Sequence, residues 1–462
     1  MSLHPYSSDL GRIMYPVAEQ ISGLDERFVS SASAERSFNN ASVVRVMGSG
    51  DLRLAGGAPN MAQIAAEVDA WTLRLPRLRQ RLRHAPGGLM APSWVPDEGF
   101  STARHLTLHA PVLTEAEVTP ALLHGDSNGG LDMERSPWNA LVVDLAGGDL
   151  LLIIKMHHVM GDGLSGVATL DALLAESPEG RTVPPPVADV RAPVNAVELY
   201  VAGWRQFCFA HPTWAERFSA AFAKPPLVRL RKVVGRNLRT LRSGSHKAQE
   251  PTATWQYGVT SLDLRTARMT ARALGGSLTD LMAAAGVYGV AEALPGRRAA
   301  AATIAVPVSE KGRETGMGNR MRIIPVTVLP ETDRAAAVAS IRAQSEAGVS
   351  AGLSSHLSHE MWDAMATFLP AGFRPRYFAG QPVRNILFWT SLDPSERIGI
   401  LSSNYLDTLN VTVVAALDVD MDALLATLRM VLTGTESADA PPVHAAVPAP
   451  GGVWDSIREG AS

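Results

Sequence analysis

The residues of this chain best suited to chemistry are two adjacent imidazoles, His157 and His158, with Asp162 and Gly163 closely following them. A histidine with its ordinary pKa of about 6.5 can take a proton near neutral pH, so an exposed ring here is a candidate general base. The competing reading is a pair of core-edge rings satisfied by neighbouring carbonyls. The local pattern bears on the choice. Leu150, Leu151, Leu152, Ile153 and Ile154 form a short apolar run that reads as a buried strand, which puts the histidines at its end. After Gly163, the residues Leu164, Val167, Leu170 and Leu173 recur at helical spacing. The unit is therefore strand, tight glycine turn, helix, a geometry that lifts an imidazole out of the core into a cleft. Asp162 is placed to fix the turn or the ring. No metal is expected, because neighbouring histidines lack ligand spacing and no Cys/His cluster accompanies them.

The elements that must position this unit surround it on both sides. Val43, Val44 and Val46 mark a first strand, and a strand over 140–145 joins the histidine strand through Gly147, Gly148 and Asp149 as a hairpin, with Trp138 a packing residue before it. Met61, Ile64, Ala65, Val68 and Trp71 predict a helix within 59–84 that the basic segment 76–82 closes, its arginines forming a solvated face or a phosphate site. Trp94 with Val95, and 105–108, read as short strands.

Pro178, Pro184, Pro185, Pro186 and Pro193 mark a linker. Beyond it come Trp204, Phe207, Phe209, Trp214 and Phe218. Lys224, Arg229, Arg231, Lys232, Arg236, Arg239, Arg242 and Lys247 follow with no intervening acid. Such a stretch suits either an interdomain helix with a solvated basic face or an anionic membrane surface.

A second domain is expected from about Thr254. It holds an apolar helix opened by Leu278, Thr279, Asp280 and Leu281, strands over 303–308, 321–329, 386–389 and 409–415, and a closing helix over 421–432. The expected division is an N-terminal domain over 1–180, a linker with aromatic and basic helices over 181–253, a C-terminal domain over 254–435, and a disordered Pro/Ala-rich tail over 436–462 with a contact at Trp454.

At 462 residues the chain exceeds the size at which one core stops growing, which also favours two domains. A hydrophobic share of 46% with 19% charged residues is that of a globular protein, and a net charge of -3 argues against a nucleic-acid partner. One cysteine, Cys208, excludes an internal disulfide and fits a reducing compartment. The first residues lack the order of a signal peptide, and no apolar run approaches a bilayer span, so a cytoplasmic protein is expected, a membrane surface remaining open to it.

The string His-His-x-x-x-Asp-Gly resembles the motif of the CoA-dependent acyltransferase superfamily, which includes chloramphenicol acetyltransferases, condensation domains and the wax ester synthase/diacylglycerol acyltransferases. Further landmarks resemble the last of these families and keep its order over about residues 20 to 433. They are Leu24-Asp25, Leu78-Arg79-Gln80-Arg81-Leu82, Pro137-Trp138, Pro307-Val308-Ser309, Gly318-Asn319 and Leu409-Asn410-Val411-Thr412. Two departures stand out. Thr279-Asp280 replaces the family's usual Asn-Asp, and Arg384-Asn385-Ile386-Leu387 lies where a Ser-Asn-x-Pro-Gly element is usual.

The resemblance implies an α/β protein of two chloramphenicol-acetyltransferase-like domains with mixed sheets and an active-site tunnel between them. It implies acyl transfer from acyl-CoA, as co-substrate, to a hydroxyl acceptor such as a long-chain alcohol or diacylglycerol, with no bound cofactor. His158 would be the general base, with His157 and Asp162 supporting it and Asp162 structural rather than a charge relay. Gly163, Thr279, Asp280, Asn319 and Asn385 would fall at substrate-binding positions. Thr279 is either an oxyanion donor or, like Ser277, a helix cap. A membrane or lipid-droplet surface and an acyl-carrier protein are the further partners implied. Alternatives are acylation of a natural-product hydroxyl or amine, and a non-catalytic acyl-binding protein.

Overall fold

A computed structural model of the chain describes residues 19–22, 25–26, 28–29, 38–88, 90–109, 112–119, 122, 131–180, 195–210, 213, 255–294, 296–309, 319, 321–351, 362–372, 374–392, 396–435 and 443–445. Its first half contains β1 (Glu19–Gln20), β2 (Asn39–Val46), α1 (Met61–Arg74), β3 (Gln80–Arg83), β4 (Ser93–Pro96), β5 (Leu106–Leu108), β6 (Trp138–Asp144), β7 (Leu150–His157), α2 (Gly163–Leu173) and α3 (Ala196–Ala210). The second contains β8 (Trp255–Asp263), α4 (Leu264–Ala273), α5 (Leu278–Ala293), β9 (Ala302–Ser309), β10 (Met321–Val328), α6 (Arg334–Ser350) and β11 (Ala364–Leu369). It continues with β12 (Tyr377–Phe378), β13 (Gln381–Trp389), β14 (Ile398–Tyr405), β15 (Thr408–Ala416), α7 (Met421–Thr433) and β16 (Val443–Ala445).

The strand that carries the histidines explains its own apolar run. Every residue of β7 is buried, because both faces of its sheet are covered. Leu150, Leu152 and Ile154 pack with Val68 and Trp71 of α1 and Leu170 and Leu173 of α2, whereas Leu151 and Ile153 pack with Tyr257 of β8 and Val414 of β15. Alternate residues thus serve two cores. The expected hairpin is present: β6 and β7 pair antiparallel from Asp144 with Leu150 to Trp138 with Met156.

The six-stranded sheet around β7 runs β12-β13-β2-β7-β6-β5, and a seven-stranded sheet runs β10-β9-β11-β14-β15-β8-β16. Both are mixed. β5 lies parallel to β6, and β11 parallel to β9 and β14, among otherwise antiparallel neighbours. In the second half α5 is buried on nearly all sides, between α7 and the sheet.

Three sequence expectations change. The division at 254–435 treats the second half as self-contained, yet β12 and β13 cross over and complete the first sheet, with β13 pairing β2 from Val383 with Val46 to Trp389 with Ala41. Ile386 and Phe388 of β13 are buried in the first half's core, which an open β2 edge would leave incomplete. The helix over 59–84 stops at Arg74, because Pro76 cannot continue it and pushes Leu75 out of the helical region. The arginines that follow are structural: Arg77 ion-pairs with Glu19 and lies 4.6 Å over Trp94, and Arg79 meets Asp69 at 2.8 Å. Finally, Val443–Ala445 of the tail pairs with β8 as an outer strand. Of the linker helices only α3 is described; the basic stretch 224–247 and Trp454 lie outside the described residues.

A buried amide is among the side chains that stitch the crossover to the second sheet, with Thr412 donating to the Phe388 carbonyl (2.6 Å) and Tyr405 to that of Val383 (3.1 Å). Asn410 Nδ2 donates to Asn385 Oδ1 (2.8 Å) and to the Ile386 carbonyl (3.0 Å), and its Oδ1 accepts from Ser261 Oγ (2.8 Å). Removing it takes a donor from the Asn385 side chain and the buried Ile386 carbonyl, and an acceptor from Ser261. Asn410→Ala is expected to lower unfolding free energy by about 2–4 kcal/mol, read as a lower urea midpoint with an unchanged slope.

Candidate active site

His157 closes β7 and His158 opens a short turn of 3-10 helix, after which Asp162 caps α2. The cap is made by the Asp162 side chain, whose Oδ1 accepts from Ser165 N (3.0 Å) and Oγ (3.1 Å). This satisfies donors that a helix start leaves orphaned. Gly163 must be small: a Cβ there would lie 2.8 Å from Leu369 of β11, so the start of α2 is pressed against the second half.

The two rings differ in access. His157 is buried; its Nδ1 accepts from Val159 N (3.1 Å) and its Nε2 is buried without a partner among the described residues. Burial, and then the neighbouring His158, push its pKa down to about 3. His158 lines a cavity of about 350 Å³. Its Nδ1 is the buried nitrogen, which leaves Nε2 as the one open to the cavity. Burial lowers the pKa of His158 too, opposed by a hydrogen bond with its own main chain, by the charges of Asp162 and Asp25, and by the Asn319 side chain. Near neutral pH both rings are therefore uncharged.

The cavity lies where the halves meet. Asn40, Ser42, Met156, His158, Met160 and Gly163 wall it from the first half, Thr279, Val308, Met321, Phe368 and Leu369 from the second, with Phe388 and Trp389 of the crossover strand. The lining is mostly apolar, with few polar groups near the imidazole, as suits a ligand with a long hydrocarbon part.

The other sequence-derived positions fall as follows. Thr279 lines the cavity, and the cap of α5 is Ser277, so the hydroxyl of Thr279 is not the capping group. Asp280 lies outside the cavity lining and forms a capping box with Ser277, its Oδ2 accepting from Ser277 N (2.8 Å) and Oγ (2.7 Å). Asn319 sits behind His158, its Nδ2 donating to the His158 carbonyl (2.7 Å) and to Asp25 Oδ1 (2.5 Å). Asn385 lies off this cavity, bonded to Asn410. The structure thus gathers His158, Asp162, Gly163 and Thr279 at one cavity with Asn319 behind them, and leaves His157, Asp280 and Asn385 out of its walls.

Two residues at the site carried no role in the sequence. Asp25 was visible only as half of a Leu-Asp landmark, and Phe28, whose ring stacks on His158 at 4.2 Å, gave no signal beyond being aromatic. Among the described residues no group of three or more His, Cys, Asp or Glu side chains could hold a metal ion, and no helix is long and apolar enough to cross a membrane.

Residues 21–290 match the family model described as the wax ester synthase/diacylglycerol acyltransferase catalytic domain. The chain belongs to this family. Curated relatives include a putative diacylglycerol O-acyltransferase of Mycobacterium tuberculosis, 25% identical over 194 residues, which are 41% of this chain and 37% of that protein. Another, from Mycobacterium bovis, is 29% identical over 126 residues, 27% of each chain. The matches thus span well under half the length of those relatives.

Among solved structures, the wax ester synthase/diacylglycerol acyltransferase from Marinobacter aquaeolei VT8 is similar, with a TM-score of 0.55 at 16% identity, covering 89% of this chain and 98% of the other. The first condensation domain of the CDA synthetase gives 0.58 at 16%, covering 90% and 96%. These likenesses confirm the chloramphenicol-acetyltransferase-like α/β fold expected for the family.

The buried histidines make stability pH-dependent. An unfolded histidine takes up its proton near pH 6.5, whereas folded His157 stays neutral down to about pH 3. Between those values the unfolded state binds more protons, so stability is complete above pH 6.5 and falls as pH drops, by about 1.4 kcal/mol per pH unit for such a histidine. Urea denaturation of the parent at pH 7.5, 6, 5 and 4.5 should show that fall, and His157→Gln should flatten it.

Proposed function

We propose that this chain is an O-acyltransferase that moves an acyl group from acyl-CoA to the hydroxyl of a lipid-like acceptor, a long-chain alcohol or diacylglycerol. The observation that carries the reading is a neutral imidazole whose open nitrogen faces a mostly apolar cavity between the halves, in a chain matched by the family's catalytic domain over residues 21–290. His158 Nε2 takes the acceptor's hydroxyl proton as the oxygen attacks the thioester carbonyl. The tetrahedral intermediate collapses, the C–S bond breaks, and the imidazolium returns the proton to the leaving thiolate. Burial helps here, because a histidine with lowered pKa is already deprotonated at neutral pH.

Thr279 faces the same cavity from the start of α5, and with capping assigned to Ser277 its hydroxyl is free to donate to the developing oxyanion. Asp162 keeps the turn in place and moves no proton. The same chemistry serves a thioester on a carrier protein, so CoA and carrier-borne donors are to be compared in one assay. Contact with a membrane or lipid-droplet surface is supported by α3, where Val197, Val201 and Trp204 recur on one helical face at 68%, 41% and 52% exposure.

His158→Ala should fold and lose about 10²–10⁴ in turnover, measured as free thiol released from a long-chain acyl-CoA with a panel of alcohols and diacylglycerols. A folded variant with near-parental turnover would sink the reading. Thr279→Val keeps the side chain's shape and removes its hydroxyl; a rate lower by about 10²–10³ at unchanged melting temperature is expected of an oxyanion donor. An unaltered rate would leave Thr279 as a wall residue.

A further inference from the structure

His158 is gripped by its main chain as well as through its ring. Its N–H donates to the Phe38 carbonyl (2.7 Å), and its own carbonyl accepts from Asn319 Nδ2 (2.7 Å). The same amide nitrogen donates to Asp25 Oδ1 at 2.5 Å. The other Asp25 oxygen accepts from Ser22 Oγ (2.7 Å) and more weakly from Ser22 N (3.3 Å). Three residues beyond Asp25, Phe28 stacks on the imidazole at 4.2 Å with 16° between ring planes, and meets Phe38 edge-on at 5.5 Å.

The orientation of the Asn319 amide follows from its partners. Both groups that face its nitrogen, the His158 carbonyl and the Asp25 carboxylate, are acceptors, so only the NH₂ end fits between them. Asp25 is 7% exposed, and among the described residues its side chain bonds Ser22 and Asn319. Burying a carboxyl in this way is costly. Asp280 makes the same capping-box contacts with Ser277 at similar burial, so what sets Asp25 apart is its bond to Asn319.

We propose that Asn319 and Asp25 are positioning residues for the transfer reaction: Asp25 locks the Asn319 amide, and the amide fixes the His158 carbonyl and with it the turn that aims the ring. The inference rests on the reading of His158 as the base. With its N–H and carbonyl both held and Phe28 stacked on its face, the ring keeps one orientation, in which Nδ1 is buried without a partner among the described residues and the ring lines the cavity. If that carbonyl swings away, the ring loses its aim. Asn319 comes from the second half, and Asp25 and Phe28 from the segment before β2, so the base is aligned by contacts from both halves of the chain.

The test compares Asn319→Ala, Asp25→Asn and His158→Ala with the parent, using a long-chain acyl-CoA and fatty alcohol and reading kcat, KM, melting temperature and the pH profile of kcat. Asn319→Ala should lose about 10–100-fold in kcat, part of what a general base supplies, with KM for acyl-CoA within about twofold. The titratable groups facing His158 are His157, Asp162 and Asp25. Asp25 favours the protonated ring, so Asp25→Asn should move the acidic limb of the kcat profile to lower pH. A purely structural residue would shift melting temperature and leave that limb in place. A folded Asn319→Ala with parental kcat overturns the proposal, as does an unmoved limb in Asp25→Asn, which decides the matter alone if Asn319→Ala fails to fold. An active His158→Ala would instead overturn the reading of the base, whereas an inactive one beside a fully active Asn319→Ala would overturn this proposal only.

Discussion

The pairing of β13 with β2 is the constraint on which the rest of this molecule depends. β13 enters the chain among strands of the second sheet but makes its ladder with the first, from Val383 opposite Val46 to Trp389 opposite Ala41. Its far end supplies Phe388 and Trp389 to the cavity wall, and Asn410 ties its middle to β15. Two sheets joined by side-chain bonds from β15 to a strand of the other cannot drift apart without breaking buried hydrogen bonds. The cavity between them is therefore a fixed feature of the fold, bounded on one side by the imidazole and on the other by β9, β10 and β11.

Burial acts differently on the two histidines because only one keeps an opening. His157 is sealed within the first half, and burial alone is enough to keep it neutral. His158 is nearly as buried but has one nitrogen at a cavity wall, and the groups that favour its charged form, its own carbonyl, Asp162, Asp25 and Asn319, offset part of the desolvation. A base needs this compromise: a ring buried without such compensation binds a proton too weakly to take one from a hydroxyl, and a fully solvated ring lies open to water.

What the sequence revealed about the site was local. The strand, turn and helix around His158 could be read because each rests on spacing within a few residues: the apolar run of β7, the glycine at 163, and leucines recurring along α2. The cap made by Asp162 belongs to the same short range. The contacts that escaped reading are long-range. Asn319 and Asp25 are 294 positions apart, Thr390 meets Asn40 across 350, and β13 shows nothing in its own alternation to say which sheet it joins. The overrun of α1 past Arg74 is of another kind, since Pro76 was in plain view and a periodic count of apolar residues simply ran through it. The threonine at 279 lies between: its hydroxyl and its nearness to a helix start were legible, but only the placement of Ser277 as the cap separates the two roles.

The halves contribute unlike things to the cavity, and this bears on why the chain needs both. The first half brings the imidazole, the capped turn and the glycine that lets α2 approach. The second brings apolar surface from β9, β10 and β11, hydroxyls at Thr279, Ser309, Thr367 and Thr390, and from behind His158 the amide of Asn319. The close approach at Gly163, where a Cβ would meet Leu369 at 2.8 Å, shows how tightly the two are fitted at the point where they must cooperate. Because rigid interiors transmit small displacements rather than absorbing them, the alignment of the His158 imidazole and the shape of the apolar cavity are set by the same packed surface.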